Sequence, residues 1–273
     1  MDTSTRGLVG GDAVRIVVID ATEVSNYTAE IHELGLGASR LAAELSVAAL
    51  LMGGHIKGEE RVTLQLQTSN PEASVFAEVD SLGTIRGRAM PTRLPVTTSH
   101  TGMLLAIKSD AQAELYRGVT EVAGQTLQSA LASHMRDSQQ VQGNVLIDVV
   151  VGANGVERAV GLLVERLASD PVRPSLTRSE FAAAYSDLTV ADLNDALSGT
   201  LRGDSIRVLD QLPLMWMCRC SREKVDAMLM SVGNQTLQSM HDEDEGAEIS
   251  CHFCGDTRVY TKEELAALIQ SNK

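Results

Sequence analysis

The four cysteines constrain this chain more than any other feature. They are the only ones it has, and the first 217 residues contain none. Cys218 and Cys220 stand in Met217-Cys218-Arg219-Cys220-Ser221. Cys251 and Cys254 stand in Ser250-Cys251-His252-Phe253-Cys254-Gly255, and thirty residues separate the two pairs. Two close thiol pairs joined by a long insert have the ligand pattern of a tetrahedral four-thiolate zinc site. A pair two or three residues apart reaches one ion from a single bend of backbone, and the insert supplies the fold that brings the second pair across. Gly255 suits such a bend, because a residue free to take positive φ lets backbone N–H groups turn toward thiolates. His252 is then surplus to a filled tetrahedron and is read as a surface histidine in the turn.

Other uses of these cysteines fit less well. Four cysteines in 273 residues are sparse for a secreted disulfide framework. The opening Met1-Asp2-Thr3-Ser4-Thr5-Arg6 lacks the basic-then-apolar order of a secretory signal. A thioredoxin-type motif needs Cys-x-x-Cys to open a helix after a strand, yet the helix-like stretch here starts near Thr261, and the first pair would be unexplained. Reduced thiols without an export signal point to the cytosol.

Three parts are expected, making an α+β protein. The first, residues 1–170, reads as a mixed α and β domain with antiparallel sheet and packed helices. Ala13–Asp20 is a β-branched strand, and Ala21–Leu34 and Ala38–Met52 are helical. Between those helices Gly35-Leu36-Gly37 resembles part of a dinucleotide fingerprint, but it lacks the third glycine and a preceding strand, so it reads as a flexible joint. Strands follow at 62–67, 74–79, 84–88 and 103–108, then a helix at 126–135. Val145–Val151 and Val156–Val164 form a hairpin with Asn154-Gly155 at its tip. Aromatics are 3% of the chain, so its core rests on Leu, Val, Ala, Ile and Met.

Asp170-Pro171-Val172-Arg173-Pro174 marks a boundary. Residues 171–212 read as a linker of short helices, with Thr177-Arg178-Ser179-Glu180 and Thr189-Val190-Ala191-Asp192 as capping boxes and Gly199 and Gly203 interrupting the last one. Residues 213–273 hold the cysteines, a helix capped by Ser221, another capped by Thr261, and an acidic loop at 241–245. So few residues with so few aromatics need a metal to hold them together. Met215, Met217, Met228, Met230 and Met240 are read as packing for this small unit.

The formal charge of −13 argues against a surface that tracks phosphates. No apolar run reaches the ~18 residues of a membrane span; the nearest, Leu41–Met52, is short and carries Glu44. There is no P-loop, no His-Glu-x-x-His and no Ser or Cys nucleophile signature, so no enzyme is expected. His32, His55, His100 and His134 stand alone and read as ordinary surface or core residues.

The order Cys-x-Cys, long gap, Cys-x-x-Cys near the C-terminus resembles the heat shock protein 33 family of redox-regulated, ATP-independent holdase chaperones. Cys218-Arg219-Cys220-Ser221-Arg222-Glu223-Lys224-Val225 and Cys251-His252-Phe253-Cys254 carry that resemblance. Weaker echoes are Arg86-Gly87-Arg88, Tyr116-Arg117-Gly118-Val119 and Ser138-Gln139-Gln140-Val141. The chain departs from the family in one strand, Val160-Gly161-Leu162-Leu163-Val164, which has a single glycine. The resemblance implies zinc on Cys218, Cys220, Cys251 and Cys254. Peroxide or hypochlorous acid would then form Cys218–Cys220 and Cys251–Cys254 disulfides, a pairing the short spacings also favour, with loss of zinc. It further implies a homodimer when oxidised. Arg219, Arg222 and Lys224 are placed to offset the charge of a four-thiolate zinc centre. Unfolding of the tail would free the linker's apolar residues Phe181, Leu193, Leu197, Leu201, Val208 and Leu209 for unfolding client proteins. The alternatives are a zinc-ribbon module of a nucleic-acid or translation complex, which the acidity disfavours, and a thiol oxidoreductase.

Overall fold

In the computed structural model, residues 1–167, 176–243 and 246–271 are described. Thr3–Val9 forms β1, and the β-branched run Val14–Asp20 forms β2. Two helices follow, α1 (Thr22–Ile31) and α2 (Leu36–Gly53). Next come β3 (Arg61–Ser69), β4 (Glu72–Asp80), β5 (Thr84–Met90), β6 (His100–Ser109) and β7 (Glu114–Gln125). Helix α3 (Leu127–Gln139) leads into the hairpin β8 (Gly143–Gly152) and β9 (Gly155–Arg166). The hairpin is the expected one, and Gly155 at its tip has φ +111°. The fold is α+β with antiparallel sheets. Strands β1 and β7 were absent from the sequence reading, because neither shows a clean apolar alternation. Leu115, Val119 and other outward residues of β7 are exposed.

The expected domain boundary at 170–174 lies outside the described residues. Beyond it, α4 (Arg178–Tyr185) and α5 (Val190–Leu197) start at the two expected capping boxes. The stretch that follows corrects the sequence reading. Instead of more helix it forms β10 (Thr200–Leu201), β11 (Asp204–Ser205), β12 (Arg207–Pro213) and β13 (Met215–Trp216). Gly199 and Gly203, at φ +91° and +87°, turn the chain into the β10–β11 hairpin rather than interrupting a helix.

Two large sheets result, ordered β12-β1-β2-β9-β8 and β13-β5-β4-β3-β6-β7. Helix α2 is apolar on nearly every side, as a helix buried all round must be, and it packs between them. Its Leu36–Gly53 span is long and apolar enough to cross a membrane by length and composition, more than the sequence reading allowed, but most of it is buried inside this unit. The Gly35–Gly37 segment is not a flexible joint: a Cβ on Gly37 would collide with the carbonyl oxygens of Leu94 and Pro95. Gly161, in the middle of β9, leaves room for Val47 and Leu51 of α2.

The five-stranded sheet is apolar on both faces. Val17, Ile19 and Leu163 point toward α2, whereas Val14, Ile16, Val18, Leu162 and Val164 point away. That second face is covered by the linker itself, through Phe181, Tyr185, Leu193, Ala196 and Leu201. Strand β12 extends the same sheet along β1, secured by Arg6–Asp210 and Arg207–Asp12 ion pairs.

Contacts divide the chain into Met1–Met217 and Cys218–Lys273. The second unit contains α6 (Arg222–Ser231), α7 (Asn234–Asp242), the hairpin β14 (Gly246–Ser250) and β15 (Thr257–Thr261), and α8 (Lys262–Ser271). Ser221 caps α6 through Lys224 N–H, and Thr261 and Glu264 cap α8 reciprocally. The acidic stretch is not all loop, since His241 and Asp242 close α7; Asp244 and Glu245 lie outside the described residues. Among the described residues, the unit's fully buried apolar core is Leu229, Leu237, Tyr260 and Leu265.

Candidate metal centre

The two cysteine pairs sit at different kinds of bend. Cys218 and Cys220 lie in the approach to α6. Cys251 and Cys254 lie in the turn joining β14 to β15. That turn is closed by Cys251 N–H donating to Asp256 O (2.8 Å) and Gly255 N–H donating to Cys251 O (2.9 Å). Gly255 takes φ +70°, as the sequence required. Backbone N–H groups then face sulfur: Phe253 toward Cys251 and Cys220 toward Cys218, each at 3.5 Å.

All four Sγ atoms converge. Cys218 and Cys251 are 3.6 Å apart, Cys220 and Cys254 are 3.3 Å apart, and the four sulfurs lie within 4.8 Å of one another. A zinc ion bonded to sulfur at about 2.3 Å in a tetrahedron needs sulfur–sulfur edges of about 3.8 Å. The donor set, its number and its spacing therefore fit a four-thiolate metal ion with little adjustment. Each cysteine is half-buried. Burial raises the Cys220 and Cys254 thiols above their ordinary value, as charges crowded into one pocket require. At Cys251 burial acts the same way but is outweighed by the N–H groups of Phe253 and Cys254, which bring it down to about 7.

Two of the three expected charge partners turn elsewhere. Arg222 turns to Glu264 and covers the Tyr260 ring at 4.9 Å, and Lys224 Nζ donates to Arg219 O at 2.8 Å. Arg258, on β15, is a cation directed at the Cys220 sulfur, braced by Asp256 at 3.1 Å. It escaped the sequence reading because β15 was not recognised. A Cys-x-x-Cys-Gly turn implies a returning strand, and a cation four residues past the last cysteine was the available signal.

The proposed client-binding residues divide into two groups. Phe181, Leu193 and Leu201 are buried against the five-stranded sheet, while Leu197, Val208 and Leu209 are exposed. Three of the methionines depart from expectation, since Met215, Met217 and Met228 are exposed, whereas Met240 packs on the small core as expected. His252 is exposed in its turn. Four further histidines, all in the first unit, make contacts within it. His134 is wholly buried, with Thr120 Oγ1 at 2.9 Å and Tyr116 Oη at 3.3 Å. His55 meets Arg15 and Glu165, His100 approaches Glu44, and His32 reaches Gly87 O.

Comparison with known proteins places this arrangement. A profile described as Hsp33 protein matches residues 2–261. The 33 kDa chaperonin of Bacillus licheniformis is 25% identical over 287 residues, covering 98% of this chain and 99% of that protein. That of Lactiplantibacillus plantarum is 26% identical over 291 residues, covering 100% and 98%. The crystal structure of the 33 kDa chaperonin (heat shock protein 33 homolog) of Thermotoga maritima shares the fold, with TM-score 0.79 at 20% identity over 99% of this chain and 98% of that one. On a match that runs from its second residue through the four converging cysteines, the chain belongs to the Hsp33 family of chaperones.

Proposed function

We propose that this chaperone is a redox-regulated, ATP-independent holdase whose switch is Cys218, Cys220, Cys251 and Cys254. The observation that carries this reading is the pairing of four convergent sulfurs with a very small core. Cys218–Lys273 buries Leu229, Leu237, Tyr260 and Leu265, too little apolar surface to hold a unit of this size unaided. A zinc ion on the four thiolates would cross-link the two bends and contribute about 10–16 kcal/mol to folding.

Oxidation removes those ligands. Each pair of thiolates gives two electrons to one hydrogen peroxide; a sulfur–sulfur bond forms, the peroxide O–O bond breaks, and its oxygens take two protons from solvent and leave as two waters. Cys218–Cys220 and Cys251–Cys254 are the proposed bonds, carried over from the family resemblance. Unfolding then reaches Cys218, one residue from Met217, whose N–H donates to Ile85 O. From there it runs back along the chain through β13 and β12 into the linker. The functional division is 1–170 for the chaperone body, 171–212 for the linker and 213–273 for the switch.

The linker docks on the five-stranded sheet, so its release uncovers two surfaces: its own Phe181, Leu193 and Leu201, and the sheet residues beneath them. Leu197 and Leu209 are already at the surface and extend that area. Unfolding proteins are the proposed partners, with a homodimer as the oxidised state and the cytoplasm as the place of action; nucleic acid and membrane are not proposed as partners. The test is to treat zinc-loaded, reduced protein with peroxide at heat-shock temperature, following zinc with a chelating dye and light scattering of an aggregating client. Zinc release with a gain in suppression is expected. Equal suppression before and after oxidation would sink the reading.

A further inference from the structure

Helices α4 and α5 have eight residues each, below the length at which a helix sustains itself in water. One side chain ties them together. Arg202, in the β10–β11 turn at φ +50°, reaches back across both. Its Nε donates to Asp192 Oδ1 at 2.8 Å and its Nη2 to Asp192 Oδ2 at 3.2 Å. Nη1 donates to Ala184 O and Nη2 also to Asp187 O, at the end of α4 and just beyond it. The guanidinium lies 5.7 Å from the centre of the Tyr185 ring.

Asp192 is only 8% exposed, and the same carboxylate accepts from Thr189 N–H and Thr189 Oγ1 in the α5 capping box. One guanidinium thus satisfies carbonyls at the C-terminal end of α4 and the carboxylate at the N-terminus of α5. Both placements suit the helix dipoles. Tyr185 and Phe181 stack at 5.4 Å and belong to the apolar cluster on the sheet. Without the guanidinium, Asp192 is a buried charge with no cation, and breaking such a pair from one side is strongly destabilising. The β10–β11 hairpin, with two residue pairs, offers little to replace it. Strand β12 has its own anchors in Arg6 and Asp12, which bounds the affected region near residues 177–205.

We propose that Arg202 is a positioning residue for the chaperone switch: it holds the linker on the five-stranded sheet, and its loss frees the linker while the four thiolates stay reduced and metal-loaded. This rests on the reading of the linker-covered face as the client-binding surface.

The experiment uses full-length, zinc-loaded, reduced protein as wild type, Arg202→Ala, Arg202→Lys and Asp192→Asn. An Arg117→Ala variant removes an exposed ion pair as control. Hydrogen exchange of α4, α5 and α2 amides, zinc content, and suppression of client aggregation against temperature are measured on each. In Arg202→Ala, α4 and α5 protection falls about a hundredfold, α2 protection and zinc content stay at wild-type levels, and suppression begins at a lower temperature without oxidant. Arg202→Lys keeps the charge but not the fork and falls between. Unchanged exchange in α4 and α5, or loss shared equally with α2, overturns the proposal. Lost protection without any gain in suppression, in a protein whose wild type is activated by peroxide, also overturns it. A wild type that peroxide fails to activate sinks the holdase reading instead, and the exchange data then show separately whether Arg202 holds the helices.

Discussion

Cys220 Sγ lies 3.3 Å from Cys254 Sγ across two bends that are 34 residues apart in the chain. Among the described residues, the secondary structure between them is short: α6, α7 and β14, packed on a few apolar side chains. On the function proposed above, sulfur atoms brought so close from so far, with so few apolar side chains beside them, would make metal binding and folding of this unit a single event.

Cys220→Ser therefore removes a ligand and the unit together. The reduced wild type is expected to hold one zinc per chain, and the variant to lose it to a chelator at far lower concentration. Far-UV circular dichroism should show loss of α6, α7 and α8 with α2 intact. A variant whose tail keeps its helicity without metal would show that the small core suffices.

Leu193 and Leu209 are both expected to bind clients, and the structure differs in how far it exposes them. Leu193 is 0% exposed on the sheet and Leu209 is 52% exposed on β12. Leu193→Ala should cost about 2–5 kcal/mol of linker stability, read as lost exchange protection in α5. Leu209→Ala should cost under about 0.5 kcal/mol. Its expected effect is weaker client capture after oxidation, read as less suppression of client light scattering.

Burial, reinforced by the positive charges of Arg15, Lys108 and Arg6, pulls the His55 imidazole down to about 4. An unfolded histidine titrates near 6.5, so between those values the unfolded chain takes up a proton that the folded one refuses. Stability of the first unit is then full above pH 6.5 and falls as pH drops toward 4, by about 3 kcal/mol at most. His55→Gln should flatten that slope in urea titrations at pH 7 and pH 5. Coincident slopes would mean that the Glu165 carboxylate, 3.3 Å away, cancels the effect.

Gly37→Ala places a methyl group against the carbonyl oxygens of Leu94 and Pro95 at the start of the buried helix α2. Neither oxygen sits on a flexible side chain that can swing aside. A loss of about 1–3 kcal/mol is expected, seen as a lower melting temperature with zinc content unchanged. A melting temperature equal to wild type would restore the reading of this segment as a loose joint.

The local signals in the sequence were strong and were met: the cysteine spacings with Gly255, the capping boxes at Thr177 and Thr189, the Asn154-Gly155 hairpin, and the apolar helix now bounded at Leu36–Gly53. Each depends on residues within a few positions of one another, so composition and spacing carry it. Where a local pattern is weak, as in β1 and β7, elements were missed, and the larger failures involve partners far apart. Residues 200–213 were read by continuation from the helices before them, yet Arg207–Pro213 became strand because β1, some two hundred residues earlier, offered an open edge. Arg258 and Arg202 act on groups that nothing in their own neighbourhood announces.

The sequence by itself determined that a metal-sized cluster of thiols would form and that short, marginal helices would precede it, since ligand number, spacing and helix caps are written locally. Only the tertiary structure decided where those helices rest. The outer face of the five-stranded sheet is as apolar as the inner one, α2 can cover just one of them, and the linker is the segment that closes over the other.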